Sequence, residues 1–92
     1  MLGQRINELR TATGWSQVQL AEKLSISKQT VSNWENENIQ PSIEMLVRIA
    51  KLFHVSADYL LGLSDAQTIN VDGLPASFVA HLTQIIEDYK QK

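Results

Sequence analysis

Apolar residues return along the first two thirds of this chain at spacings of three and four, broken every ten residues or so by polar capping residues. That rhythm is helical. Leu2, Ile6 and Leu9 place a first helix over residues 2–12, and Gly14 in "TATGW" is its expected left-handed stop. Ser16 caps a second helix, and Gln19, three residues on, completes a Ser-x-x-Gln capping box. Leu20, Ala21 and Leu24 give that helix its buried face. Ser25 and Ile26 form a tight turn, and Ser27 caps a third helix with Val31 and Trp34 inward. "ENENIQP" reads as a loop. Ser42 then caps a fourth helix, with Glu44 in the first turn, where a carboxylate suits the helix dipole, and a stripe of Leu46, Ile49, Ala50 and Phe53. Ser56 caps a fifth helix that carries Asp58 early, buries Tyr59 and either Leu60 or Leu61, and stops at Gly62.

Five helices joined this closely, with no alternating strand pattern, predict a compact all-α domain over residues 1–63. "SDAQTINVDG" then reads as the body of a linker over residues 64–74. Pro75 marks the start of a sixth, amphipathic helix within residues 75–92. Leu74, Phe78, Leu82, Ile85 and Tyr89, flanked by Val79 and Ile86, form its apolar stripe.

The stretch "SQVQLAEKLSISKQTVSNWE", residues 16–35, holds two helices too short to be stable alone. Packed against each other across the turn, with small Ala21 at the crossing, they make a rigid support for one exposed face. That face offers Lys28, Gln29, Ser32 and Asn33. Gln and Asn suit bidentate pairing with adenine, and Lys suits the guanine O6/N7 edge, in a DNA major groove. Gln17, just past the cap of the second helix, lies beside free backbone N–H groups and suits a phosphate oxygen. On an isolated helix, Gln29 and Asn33 would be ordinary solvated residues. Trp34 falls at core spacing, against a reading as a stacking platform for single strands, and Trp15 suits a hydrophobic staple against Leu20 or a nearby residue.

Residues 5–63 resemble the Cro/phage-repressor helix-turn-helix family, also called the xenobiotic-response-element family. The match lies in Gln17, Leu20-Ala21, Ile26-Ser27, Thr30-Val31-Ser32, Trp34-Glu35, Pro41-Ser42, Leu46, Ile49-Ala50 and the ending "VSADYLLGL". The resemblance implies a lambda-repressor-like domain that binds double-stranded DNA with its third helix in the major groove. It implies base reading by Lys28, Gln29, Ser32 and Asn33. It implies phosphate contacts by Ser16, Gln17, Ser27, Thr30, Asn36 and Gln40, with Gln17 also buttressing the recognition helix. Two positions depart from the family pattern. Ser25 stands where glycine is frequent in the turn. Glu37 stands where glycine is favoured after the Trp-Glu-Asn triplet, and a carboxylate near DNA phosphates would repel them.

Composition bounds the alternatives. Net charge is −2 among 92 residues, with residues 1–63 balanced and the acidic excess in residues 64–92. A module without net positive charge should bind DNA weakly on its own, so a dimer reading a palindrome is expected. The sixth helix has three open readings: folding back on its domain, pairing with a second copy, or binding another protein such as an antagonist or toxin. Self-pairing through Leu74, Phe78, Val79, Leu82, Ile85, Ile86 and Tyr89 is the favoured one. The rival function is an antitoxin or protein-interaction module working mainly through that helix. With no cysteine, and His54 and His81 far apart, no metal site or cofactor is expected. No nucleophile-base set or Gly-rich phosphate loop suggests an enzyme. No signal sequence or membrane span is evident, so a cytoplasmic protein is expected.

Overall fold

A computed structural model describes residues 2–64 and 70–91 of the chain. Residues 65–69 of the expected linker lie outside the described residues. Six helices are present and no strand occurs among the described residues: α1 (Leu2–Thr13), α2 (Gln17–Leu24), α3 (Lys28–Glu35), α4 (Ile43–Phe53), α5 (Ala57–Leu61) and α6 (Ala76–Lys90).

Serine starts four of these helices. Ser16, Ser27, Ser42 and Ser56 stand in extended conformation, and each hydroxyl accepts the backbone N–H three residues on. At Ser16 the capping box is complete, with the Ser16 N–H donating to Gln19 Oε1 at 2.8 Å. The exits of α2 and α4 are less ordinary. Ser25 and His54 take left-handed backbone, at φ 58° and 57°, where glycine is the easy residue. What holds them is the same pair of bonds at each end. Ser25 N–H reaches the carbonyls of Ala21 and Glu22, and Ile26 N–H returns to Ala21. His54 and Val55 do the same toward Ala50 and Lys51. Ile26 and Val55 then pack on the core, which offsets a strain of about 1–2 kcal/mol per residue. Arg48 adds a further tie, donating from Nη2 to the Leu24 carbonyl at 2.7 Å.

The core joins α1, α2, α3, α4 and α5. Ile6, Leu20, Val31, Ile49 and Leu60 are fully enclosed, with Leu24, Ala21, Trp34 and Ala50 around them. Leu9, Leu46 and Phe53, expected inside, are partly buried and pack against this cluster. Helix α5 buries Tyr59 and Leu60 and leaves Leu61 exposed. Trp34 is buried, so it is core and not a stacking platform. Trp15 meets Phe53, with ring centroids 5.5 Å apart, and Lys23 Nζ lies 4.7 Å from the Trp15 ring centre.

Beyond α5 the contacts thin. The Asn70 N–H donates to the His54 carbonyl at 3.1 Å. Asp72 N–H bonds the Asn70 side chain at 2.8 Å. This brings Leu74 to a groove shared with Val47, Ala50 and Val55. Helix α6 buries no residue.

Substituting Leu20→Ala should cost about 3 kcal/mol, because its side chain has no exposure and a cavity would remain. Leu61→Ala, on a side chain 42% exposed, should cost under about 1 kcal/mol. Urea unfolding of both variants checks this; equal losses would contradict the packing.

Candidate nucleic-acid interface

The two short helices are held at their angle by one carboxylate. Glu35, the last residue of α3, accepts from three other residues. Arg10 Nε reaches its Oε2 at 2.6 Å and Arg10 Nη2 its Oε1 at 3.0 Å. Asn7 Nδ2 and Gln17 Nε2 also donate to Oε1, at 2.8 and 3.1 Å. Arg10 Nη1 donates to the Trp15 carbonyl at 2.8 Å. One network thus joins α1, the start of α2 and the end of α3. The Arg10 and Glu35 side chains are only 12% and 4% exposed, so it works in a partly dry setting. Burial by itself pushes the Glu35 carboxyl up. The hydrogen bonds from Arg10, Asn7 and Gln17, with the Arg10 charge, outweigh it and hold the group below its usual range. Arg10 is raised in turn, chiefly by its bond to Glu35.

This network positions a flat polar face. Lys28 and Gln29 are exposed on α3, and Ser32 and Asn33, one turn further on, are half-buried. They share one side of the helix because i, i+1, i+4 and i+5 do so at 3.6 residues per turn. Val31 and Trp34 occupy the opposite, buried side. Gln29 Nε2 donates to Asn33 Oδ1 at 3.1 Å, so the two amides hold each other in register.

The remaining residues of the expected interface lie at the start of α2, at the two ends of α3 and in the loop after it. Gln17 opens α2 with its side-chain amide directed at Glu35. A carboxylate accepts only, so Gln17 must present N–H to it, which leaves a second N–H on the same nitrogen. The N–H groups of Gln17 and Val18 belong to the first turn of α2 and have no partner within the helix. Ser16 and Ser27 are occupied as caps, and the Ser27 hydroxyl also lies 2.8 Å from that of Thr30. Asn36 closes α3 and bonds Ser32 Oγ from Nδ2 at 3.3 Å. Gln40 is exposed in the following loop and has no hydrogen bond to α3 among those described. Gln17, Ser27, Thr30 and Asn36 are thus bonded to or within α3 and its cap, while Ser16 and Gln40 have no described bond to that helix.

Sequence reasoning singled out neither Arg10 nor Asn7, and gave Glu35 no role. Their separation of 25 and 28 residues from Glu35 leaves no local trace. An arginine on the flank of a predicted helix and a glutamate beside a buried tryptophan were the available signals. Glu37 also differs from expectation. Its Oε1 accepts the Gly3 N–H at 2.8 Å, so the carboxylate is turned toward the first turn of α1.

Two short helices joined by a tight turn, the second with an exposed polar side, are the layout of a helix-turn-helix DNA-binding domain. A helix-turn-helix family model matches residues 6–60. The chain is 33% identical over 87 residues to the HTH-type transcriptional regulator ImmR of Bacillus subtilis, spanning 95% of this chain and 68% of that protein. A crystal structure of SinR, the master regulator for biofilm formation, in complex with DNA, superposes with a TM-score of 0.61 at 37% identity, covering 66% of this chain and 98% of that one. One chain of a SinR/SinI protein complex aligns with a TM-score of 0.63 and 25% identity, covering 100% of this chain and 100% of that one. The chain belongs to the helix-turn-helix family of the Cro/phage-repressor type. It is a DNA-binding transcriptional regulator and not an enzyme. No helix among the described residues is long and apolar enough to cross a membrane.

Acid should weaken the domain through Glu35. Its folded pKa lies below its unfolded value, so its contribution is complete above the ordinary carboxylate range and is lost as pH falls through the folded value. Glu35→Gln should flatten that part of the pH–stability curve. Arg10→Ala should cost about 3 kcal/mol at neutral pH, since it strands a buried carboxylate. Chemical unfolding between neutral pH and acid reads both; an unchanged acid limb in Glu35→Gln would remove the network from this role.

Proposed function

We propose that the chain is a sequence-specific regulator that reads a palindromic operator as a homodimer and represses transcription in the cytoplasm. The observation that carries this reading is the exposed α3 face, with Lys28, Gln29, Ser32 and Asn33 on one side of a helix braced by Glu35. In a major groove, Gln29 and Asn33 pair with adenine edges and Lys28 with guanine. Ser16, Gln17, Ser27, Thr30, Asn36 and Gln40 meet the phosphates on either side. The first-turn N–H groups of α2 and α3 add neutral donors there. Because residues 1–63 carry no net charge, such donors must supply much of the grip that cations supply elsewhere.

The dimer reading rests on α6. Phe78, Ile85, Ile86 and Tyr89 are 46–77% exposed, and Val79 and Leu82 lie half-buried between them. Leu74 extends the same face to the groove beside α4. An apolar stripe of this size on a monomer favours a partner. A second copy would join two reading heads and set half-sites about 34 Å apart. A second reading is kept because the SinR/SinI complex aligns over the whole chain: the α6 face then takes a different protein, as an antitoxin or antagonist-binding module does.

Selection of bound sequences from a random duplex pool tests the first reading. An enriched inverted repeat with half-sites about one helical turn apart supports it. On the recovered site, Gln29→Ala should cost about 1–3 kcal/mol and relax preference, while Gln17→Ala should weaken matched and scrambled duplexes alike. Equal losses on both duplexes for Gln29→Ala would end its base-reading role. Phe78→Ser with Ile85→Ser should yield a monomer in sedimentation; an unaltered mass would move the dimer contact elsewhere, and a wild-type monomer would favour the second reading.

A further inference from the structure

The loop that follows α3 holds Glu37 at φ 61°. In that left-handed region glycine is at ease and an L side chain is strained. A compensating bond accompanies the strain. Glu37 Oε1 accepts the Gly3 N–H at 2.8 Å. The unpaired N–H groups and positive dipole end of a helix start favour an anion there, and α1 has no acidic residue in its own first turn. Gly3 makes the approach possible. A Cβ at that position would overlap the Trp34 carbonyl oxygen and crowd the Glu37 carboxylate.

The other described bonds of this loop return to α3. Glu37 N–H bonds the Trp34 carbonyl at 3.1 Å, and the Asn38 and Ile39 N–H groups share the Asn33 carbonyl at 2.9 and 3.3 Å. Glu37 thus carries a link from the loop to a second helix. The loop also bears Asn36 and Gln40, the proposed backbone contacts on the far side of the recognition helix.

We propose that Glu37 is a positioning residue for DNA binding: by bonding the first turn of α1, it sets the path of residues 36–40 and aims Asn36 and Gln40 at the phosphates. This rests on the DNA-binding reading above. The same bond turns one carboxylate oxygen toward the start of α1, where the helix dipole favours its charge.

The test compares Glu37→Gly and Glu37→Gln with the wild-type chain on the selected operator, alongside melting temperature and exchange of the Gly3 amide. Glu37→Gly relieves the backbone and should melt no lower than wild type, yet bind about tenfold more weakly, because the untied loop must then be ordered on binding. Glu37→Gln keeps an acceptor for Gly3 and should bind within about threefold of wild type. The Gly3 amide should be protected in wild type and Glu37→Gln, and exposed in Glu37→Gly. A purely structural role would make affinity follow melting temperature, and a repulsive carboxylate would make both variants bind more tightly. Either result overturns the proposal, as does an unprotected Gly3 amide in the wild type. A wild-type chain that selects no duplex overturns the DNA-binding reading itself, and the proposal with it, a failure visible before any variant is compared.

Discussion

The geometry of the reading head depends on one partly buried carboxylate. Glu35 ends α3, and a charge there is costly unless it is fully paired. It is paired from three directions: Arg10 and Asn7 from α1, and Gln17 from the start of α2. Because Arg10 also holds the Trp15 carbonyl, the entry to α2 and the exit of α3 are referred to the same guanidinium. Hydrophobic contacts among Leu20, Ala21, Val31 and Trp34 supply the bulk of the attraction, but such contacts are non-directional. The ionic network adds direction. Its bonds have narrow angular tolerance, so the angle between α2 and α3 cannot drift without stranding a buried charge.

That constraint connects stability to recognition through Gln17. One amide serves as a brace for α3 and stands at the border of the proposed phosphate-contacting surface. A side chain used in both ways would make the positions of α3 and of a bound DNA backbone interdependent. The Gln29–Asn33 bond acts at shorter range, limiting the rotamers that the two amides would give up if they met a base pair. Opposite these ordered parts, α6 stands with no buried residue and an apolar face toward solvent. The two ends of the chain therefore differ in kind: α1 to α5 share one core, while α6 buries none of its residues.

Much of this was legible in the order of residues. The serine caps, the capping box at Ser16 and Gln19, and the stop at Gly62 are local devices, each completed within three or four residues. The buried positions of α2 and α3 follow from helical spacing alone. Elsewhere local signals stopped short. Sequence left Leu60 and Leu61 as alternatives, and packing chose Leu60. Trp15 read as a staple toward Leu20 or a nearby residue; it packs on the core cluster that holds Leu20, and its ring also meets Phe53, 38 positions further on. A glutamate after the Trp-Glu-Asn triplet read as a repulsive charge, and a glycine 34 residues upstream gave it a partner.

Sequence by itself determined the all-α class, the number and approximate limits of the helices, and the polar face of α3. Periodicity and capping are encoded within a turn or two of chain, so a linear reading recovers them. Tertiary structure decided the pairing of Glu35 with Arg10, Asn7 and Gln17, the left-handed exits at Ser25 and His54, and the bond between Glu37 and Gly3. The Glu35 and Glu37 bonds depend on which distant residues the packed helices bring together, and the two exits, bonded locally, are held by the core packing of Ile26 and Val55. A burial cost or a strained backbone is tolerated only where such a partner has arrived.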